Sequence, residues 1–154
     1  SFYPSEDYHL FVPTEGLQKR IDEMTSRFGP FCVGVHIRRT DNQPAIGKSS
    51  TDAFLASMKR ELSVNPDTMF YLATDDFEEE KRLRETFPDR ILSNQTRCLR
   101  RDSKEGMQDA LLDLYSLAAT KKIIGSYFSS FTDIAADMQK IPLIIAGEEA
   151  DQRK

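Results

Sequence analysis

What this sequence has little of narrows it first. Tryptophan is absent, and 154 residues hold only two cysteines and two histidines. Cys32 and Cys98 stand too far apart for a CxxC redox or metal motif, and Cys32 reads as a small buried hydrophobe. His9 and His36 alone do not make a His-rich metal centre. No apolar run approaches the roughly 20 residues of a membrane span, so no membrane segment is expected. A basic surplus is missing too: 21 Lys and Arg face 25 Asp and Glu, for a net charge of -4. That balance excludes a general nucleic-acid binder, which needs a cationic surface to neutralise phosphates. Seven Gly and seven Pro are too few for a fibrous or low-complexity chain. What is present, 39% apolar and 30% charged residues, fits a globular protein with one well-packed domain over 1–154. Residues 1–13 read as an irregular lead-in and 147–154 as a solvated tail. The opening at Ser1, without Met, is what a piece of a longer protein would show.

Periodicity alternates along the chain. Leu17, Ile21, Met24 and Phe28 recur at helical spacing and stop at Gly29-Pro30. The run FCVGVHIR is continuous and β-branched, as in a strand buried on both faces. A loop to Ser50 precedes the helical TDAFLASMKREL, then the strand TMFYLAT, the charged helix FEEEKRLRETF and a short strand RILS. TRCLRRDSKEG reads as a polar loop. The longest helix follows over 107–120, with Leu111, Leu114, Tyr115 and Ala118 expected inward. The strand KKIIGS, a helix over 131–139 and the strand IPLIIA complete the chain. Strands alternating with helices predict an α/β fold: a three-layer, Rossmann-like, doubly wound parallel sheet of about five strands in the order 3-2-1-4-5.

Ligands of such sheets bind beyond the carboxyl ends of the strands, where the strand order reverses. Here that point lies between the strand ending in HIRRTD and the strand ending in GSYFSS, about ninety residues later. His36 and Arg38, two apart, share a face, and Arg39 points the other way. An arginine fork suits a diphosphate, since each charge-assisted hydrogen bond contributes about 1.5–3 kcal/mol. Arg39 fits better as a partner for a carboxylate such as Asp41 or Asp75. The same groups also suit a structural ion network at a strand end. In GSYFSS, Ser130 to Asp133 match a capping box, which assigns Ser130 to capping the next helix and leaves Ser129 freer. The amides of that helix start attract anions in either case.

Other motifs carry less. AIGKSS imitates the end of a phosphate-binding P-loop, but the spacing requires Gly at position 42, which is Asn42. A nucleotide kinase or hydrolase built on Lys48 is therefore disfavoured. ATDD lacks the partner carboxylate on the first strand that a phosphatase-like site needs. Arg97, Arg100 and Arg101 suit either a solvated loop or a loop that closes over phosphate.

Taken together, VHIRRTD, FYLATDD and DLYSLAATKKIIGSYFSSFTDIA resemble, in order and spacing, the sugar-nucleotide half of fucosyltransferases of the core α1,6 and bacterial nodulation kind, over about residues 10–139. The resemblance implies a GT-B glycosyltransferase whose donor domain holds GDP-fucose. It places Arg38 on the β-phosphate as the catalytic group, with His36 and Asp113 at the guanine end. Ser126, Ser129 or Ser130 would lie by the phosphates, and Asp75 and Asp76 would form the acidic pair near the donor, with Arg39 and Asp41 completing the site. Without the resemblance, Asp113 is an ordinary helix-surface carboxylate. The implied chemistry is inverting, takes no cofactor or metal, and moves fucose or another hexose to a glycan or glycoconjugate acceptor. Two departures stand out: Asn42 and Ile46 occupy places where the core enzymes carry Lys and a Glu implicated as acceptor base. The acceptor domain expected on the amino-terminal side lies outside this chain, so the chain is expected to bind donor without transferring sugar by itself. A non-catalytic nucleotide-sugar-binding or interaction domain is the alternative.

Overall fold

The computed structural model describes residues 14–37, 51–94, 104–125 and 130–146. Helix α1, Glu15–Thr25, starts where Thr14, in extended backbone, accepts the Leu17 amide on its Oγ1 at 3.2 Å. That bond satisfies one of the amides a helix start leaves unpaired. Gly29, at φ +70°, makes the reversal into strand β1, Cys32–Ile37, in a backbone region that favours glycine. The remaining elements are α2, Thr51–Val64; β2, Met69–Thr74; α3, Phe77–Thr86; β3, Ile91–Leu92; α4, Lys104–Ala118; β4, Lys122–Gly125; α5, Ser130–Gln139; and β5, Leu143–Ile145.

All five strands are parallel, in the order β3-β2-β1-β4-β5. This is the predicted order, reached because every strand-to-strand connection must return along a helix and the crossovers keep one hand. The direction of winding reverses at β1, so the helices fall on two faces. On one face Val33, Val35, Ile37, Phe70, Leu72 and Ile124 pack with Phe54 and Met58 of α2 and with Leu83 and Phe87 in and after α3. On the other, Cys32, Tyr71, Ala73 and Ile123 pack with Phe28, with Leu117 of α4 and with Ala135 and Ala136 of α5. The helix α1 closes this second layer through Leu17 and Ile21 against Leu112.

Two expectations are revised. Strand β3 pairs over two residues, not four, because Ser93 turns aside: its Oγ donates to Glu80 Oε2 and accepts from Arg84, each at 2.6 Å. Arg84 also covers the Ile91 carbonyl at 3.2 Å, so a side chain satisfies a backbone group of this edge strand. The inward face of α4 is also wider than expected: Leu111, Leu114 and Tyr115 are half-buried against the apolar clusters. The most buried line runs Asp109, Leu112, Asp113, Ser116, Leu117 and Thr120, the last just past the helix, and Ala118 is buried as expected. The reason is that α4 packs against α1, α5 and the sheet at once. Its most apolar stripe goes partly to α1, where Leu111 and Tyr115 meet Leu17 and Ile21.

Candidate functional site

Strands β1 and β4 are hydrogen-bonded neighbours, so the switch point exists where the sequence places it. Paired residues on adjacent parallel strands share a face, and the register gives three rows on the α4 side of the sheet. Reading toward the carboxyl ends, the second row is Tyr71, Gly34, Ile123, and the last is Ala73, His36, Gly125. His36, 7% exposed, thus stands between a methyl group and no side chain at all. Small neighbours on both sides leave room on that face at the strand ends.

Gly34 sets how closely α4 approaches. A Cβ built there would stand 2.8 Å from Leu117 Cδ2 and 3.1 Å from Thr120 Oγ1, so a side chain would displace the Leu117 side chain or the helix that carries it. Because α4 links two parallel strands, it runs back against them, and residues earlier in α4 lie nearer the carboxyl ends. From Leu117 to Asp113 is one helical turn, about 6 Å. From Gly34 to His36 is two strand residues, about 6.6 Å. Asp113 therefore stands at the level of His36. It is buried, 9% exposed, and its Oδ1 accepts the Tyr71 hydroxyl at 2.6 Å. The surface-carboxylate alternative for Asp113 is thereby overturned. One turn further on, Asp109 is buried and held by Arg20 of α1 at 2.9 Å. The buried side of α4 thus carries carboxylates in its earlier turns and Ser116, Leu117 and, just past its end, Thr120 later.

The acidic pair after β2 divides. Asp75 is partly exposed. Asp76 caps α3, its Oδ1 accepting the Glu78 and Glu79 amides at 2.9 and 3.3 Å, and its own amide donates to Thr74 Oγ1 at 3.1 Å. Helix α5 begins at Ser130, one residue before the predicted start. Arg38, Arg39, Asp41, Ser126 and Ser129 lie outside the described residues, as do Arg97, Arg100 and Arg101. In sequence Arg38 follows directly on Ile37 and Ser126 on Gly125, the last paired residues of the two neighbouring strands. Among the described residues His36 and Asp113 are both buried, and Asp75 follows the last paired residue of the adjacent strand.

Tyr71 and the small residues Gly34, Ala73 and Gly125 were not singled out from the sequence. A signal for Tyr71 was present: a phenol in the middle of the apolar run MFYLAT must find a hydrogen-bond partner once buried. Cys32, below on the same face, is a buried thiol whose pKa burial pushes up from 9.0 to about 12, so it is inert near neutrality. Among the described residues no group of three or more His, Cys, Asp or Glu side chains is placed to hold a metal ion, and no helix is long and apolar enough to cross a membrane.

No family model matches the chain, and no curated protein matches it either. Solved structures do. NodZ alpha-1,6-fucosyltransferase co-crystallised with GDP superposes with a TM-score of 0.63 at 21% identity, over 79% of this chain and 41% of that one. Fucosyltransferase NodZ from Bradyrhizobium gives 0.65 at 17% identity, over 86% and 44%. POFUT1 in complex with GDP gives 0.63 at 10% identity, over 87% and 47%. The chain has a fucosyltransferase-like fold and spans less than half the length of these matches.

Proposed function

We propose that this chain is the donor-nucleotide-binding part of a GT-B glycosyltransferase that takes fucose, or another hexose, from a GDP-sugar. The observation that carries the reading is the pairing of His36 with Gly125. It makes HIRRTD and GSYFSS leave the sheet side by side, so a guanidinium and the start of α5 follow on from one notch. A sugar diphosphate needs this combination. Its base meets the buried imidazole and carboxylate of His36 and Asp113, and its phosphates meet Arg38 and the amides at the start of α5. When the glycosidic bond breaks, negative charge grows on the leaving diphosphate. A fixed guanidinium and aligned amides stabilise that charge without reorganising. Arg38 is thus the catalytic group, with Ser126, Ser129 and Ser130 as further phosphate donors. Arg39, Asp41 and Asp75 shape the rim, and Asp76 contributes through the start of α3. By the resemblance the reaction is inverting and takes neither metal nor cofactor, and acceptor recognition belongs to a second domain.

Calorimetric titration tests this. GDP and GDP-fucose should bind saturably, and Arg38→Ala should weaken both at least tenfold, the loss of about one charge-assisted hydrogen bond. No saturable binding at millimolar ligand, or unchanged affinity in Arg38→Ala, rejects the proposal. Asn42 and Ile46, standing where the resemblance leads one to expect Lys and Glu, favour a second reading: a nucleotide-sugar-binding or interaction domain without transfer activity. GDP release by the full-length gene product would refute that second reading.

A further inference from the structure

We infer that Tyr71 is a positioning residue of the nucleotide site, one that holds the Asp113 carboxylate in a fixed orientation toward the base; this rests on the donor-nucleotide reading above. Tyr71 is fully buried in the row below His36, beside Gly34. Its ring is confined by Phe28, with centroids 5.9 Å apart and planes tilted by 48°. Its hydroxyl reaches from the sheet to α4 and donates to Asp113 Oδ1 at 2.6 Å, the length of a charge-assisted bond. Gly34 makes this reach possible, because Leu117 and Thr120 occupy the space a side chain would fill and α4 lies low over the strand. The carboxylate is therefore held from the sheet by a residue of β2.

Orientation matters because an ionised carboxylate only accepts hydrogen bonds. The edge of guanine that carries N1–H and the exocyclic amine offers two adjacent donors, whereas adenine presents a bare N1 acceptor there. A carboxylate held in one plane accepts from the first and opposes the second. One free to rotate discriminates less, and a site built to pair with particular donors rejects an analogue lacking them by a large factor. The competing account is that Tyr71 and Asp113 merely tie α4 to the sheet.

The two accounts separate in a double-mutant cycle read by affinity for GDP and for ADP, with thermal unfolding alongside. Tyr71→Phe should weaken GDP about tenfold, leave the weaker ADP affinity unchanged and so lower the GDP/ADP ratio. Added to Asp113→Asn, it should change the ratio no further. Asp113→Glu keeps the charge but displaces it by one methylene, and should lower the ratio in the same way whether or not Tyr71→Phe folds. A lowered melting temperature with an undisturbed ratio in these variants, or independent effects in the two backgrounds, would overturn the inference while GDP binding by the wild type keeps the donor reading intact. A wild-type chain that binds no GDP overturns both.

Discussion

The two faces of the central sheet are made from the same strands and do different work. Under α2 and α3 the buried side chains of the sheet are branched or aromatic: Val33, Val35, Ile37, Phe70, Leu72 and Ile124 meet Phe54, Met58, Leu83 and Phe87. Among the described residues buried charge enters that layer at Glu61, which Lys122 meets at 3.2 Å, and at Glu80, which Arg84 meets at 3.0 Å. Under α4 and α5 the rows alternate large with small, and hydroxyl, thiol, imidazole and carboxylate groups are interleaved with the apolar ones. Fully burying one large aliphatic or aromatic side chain contributes about 1.5–3 kcal/mol, so the first face carries much of the stability. The second gives up part of that gain, because Gly34, Ala73 and Gly125 bury little, and gains space at the strand ends together with a helix carrying carboxylates. On the proposed donor-nucleotide reading, stability and binding are separated across the thickness of one sheet.

If that division holds, substitutions on the two faces should fail in different ways. The largest effect is expected from Phe54→Ala, which empties a fully buried position on the apolar face. It should cost about 3–5 kcal/mol in denaturant unfolding while leaving GDP affinity per folded molecule as in the wild type. A selective loss of affinity there would break the comparison. Gly34→Ala should cost less, about 1–3 kcal/mol as an overpacked contact. It should weaken GDP more than its loss of stability explains, because it lifts Leu117 and, one turn along, Asp113. Unchanged affinity would mean that the height of α4 is irrelevant to the site. The smallest effect concerns Cys32. Its folded pKa of about 12 lies above the ordinary 9.0, so the folded state holds the proton more tightly. The corresponding stability is fully present below pH 9 and is lost as the pH rises toward 12. Cys32→Ala should flatten the alkaline limb of the stability curve, and an unchanged limb would assign alkaline unfolding to other groups.

Much of this was legible in one dimension. Alternating helical and strand periods, with short connections and one crossover hand, leave few sheet orders, and 3-2-1-4-5 is the one observed. The switch point follows from that order without side-chain detail, and the pairing of His36 with Gly125 follows with it. The face of α4 that meets the sheet was not legible. A helix with apolar residues on several sides does not announce which stripe faces which neighbour, and here Leu111 and Tyr115 went to α1 while Asp113 and Leu117 went to the sheet. Asp76 shows the same limit at smaller scale. Its sequence context allows a ligand or a cap, and the geometry gives its Oδ1 to two amides of α3.

Local preference and hydrophobic period by themselves determined the elements, their order and the end of the sheet at which polar residues collect, because these depend on neighbours in sequence and on chirality common to all chains. Only the tertiary structure decided that Asp113 is buried, that Tyr71 reaches it and that Gly34 holds α4 close. Each of those depends on the rotation and height of a helix over a sheet, which the packing of residues 42 to 86 positions apart resolves and no local pattern encodes.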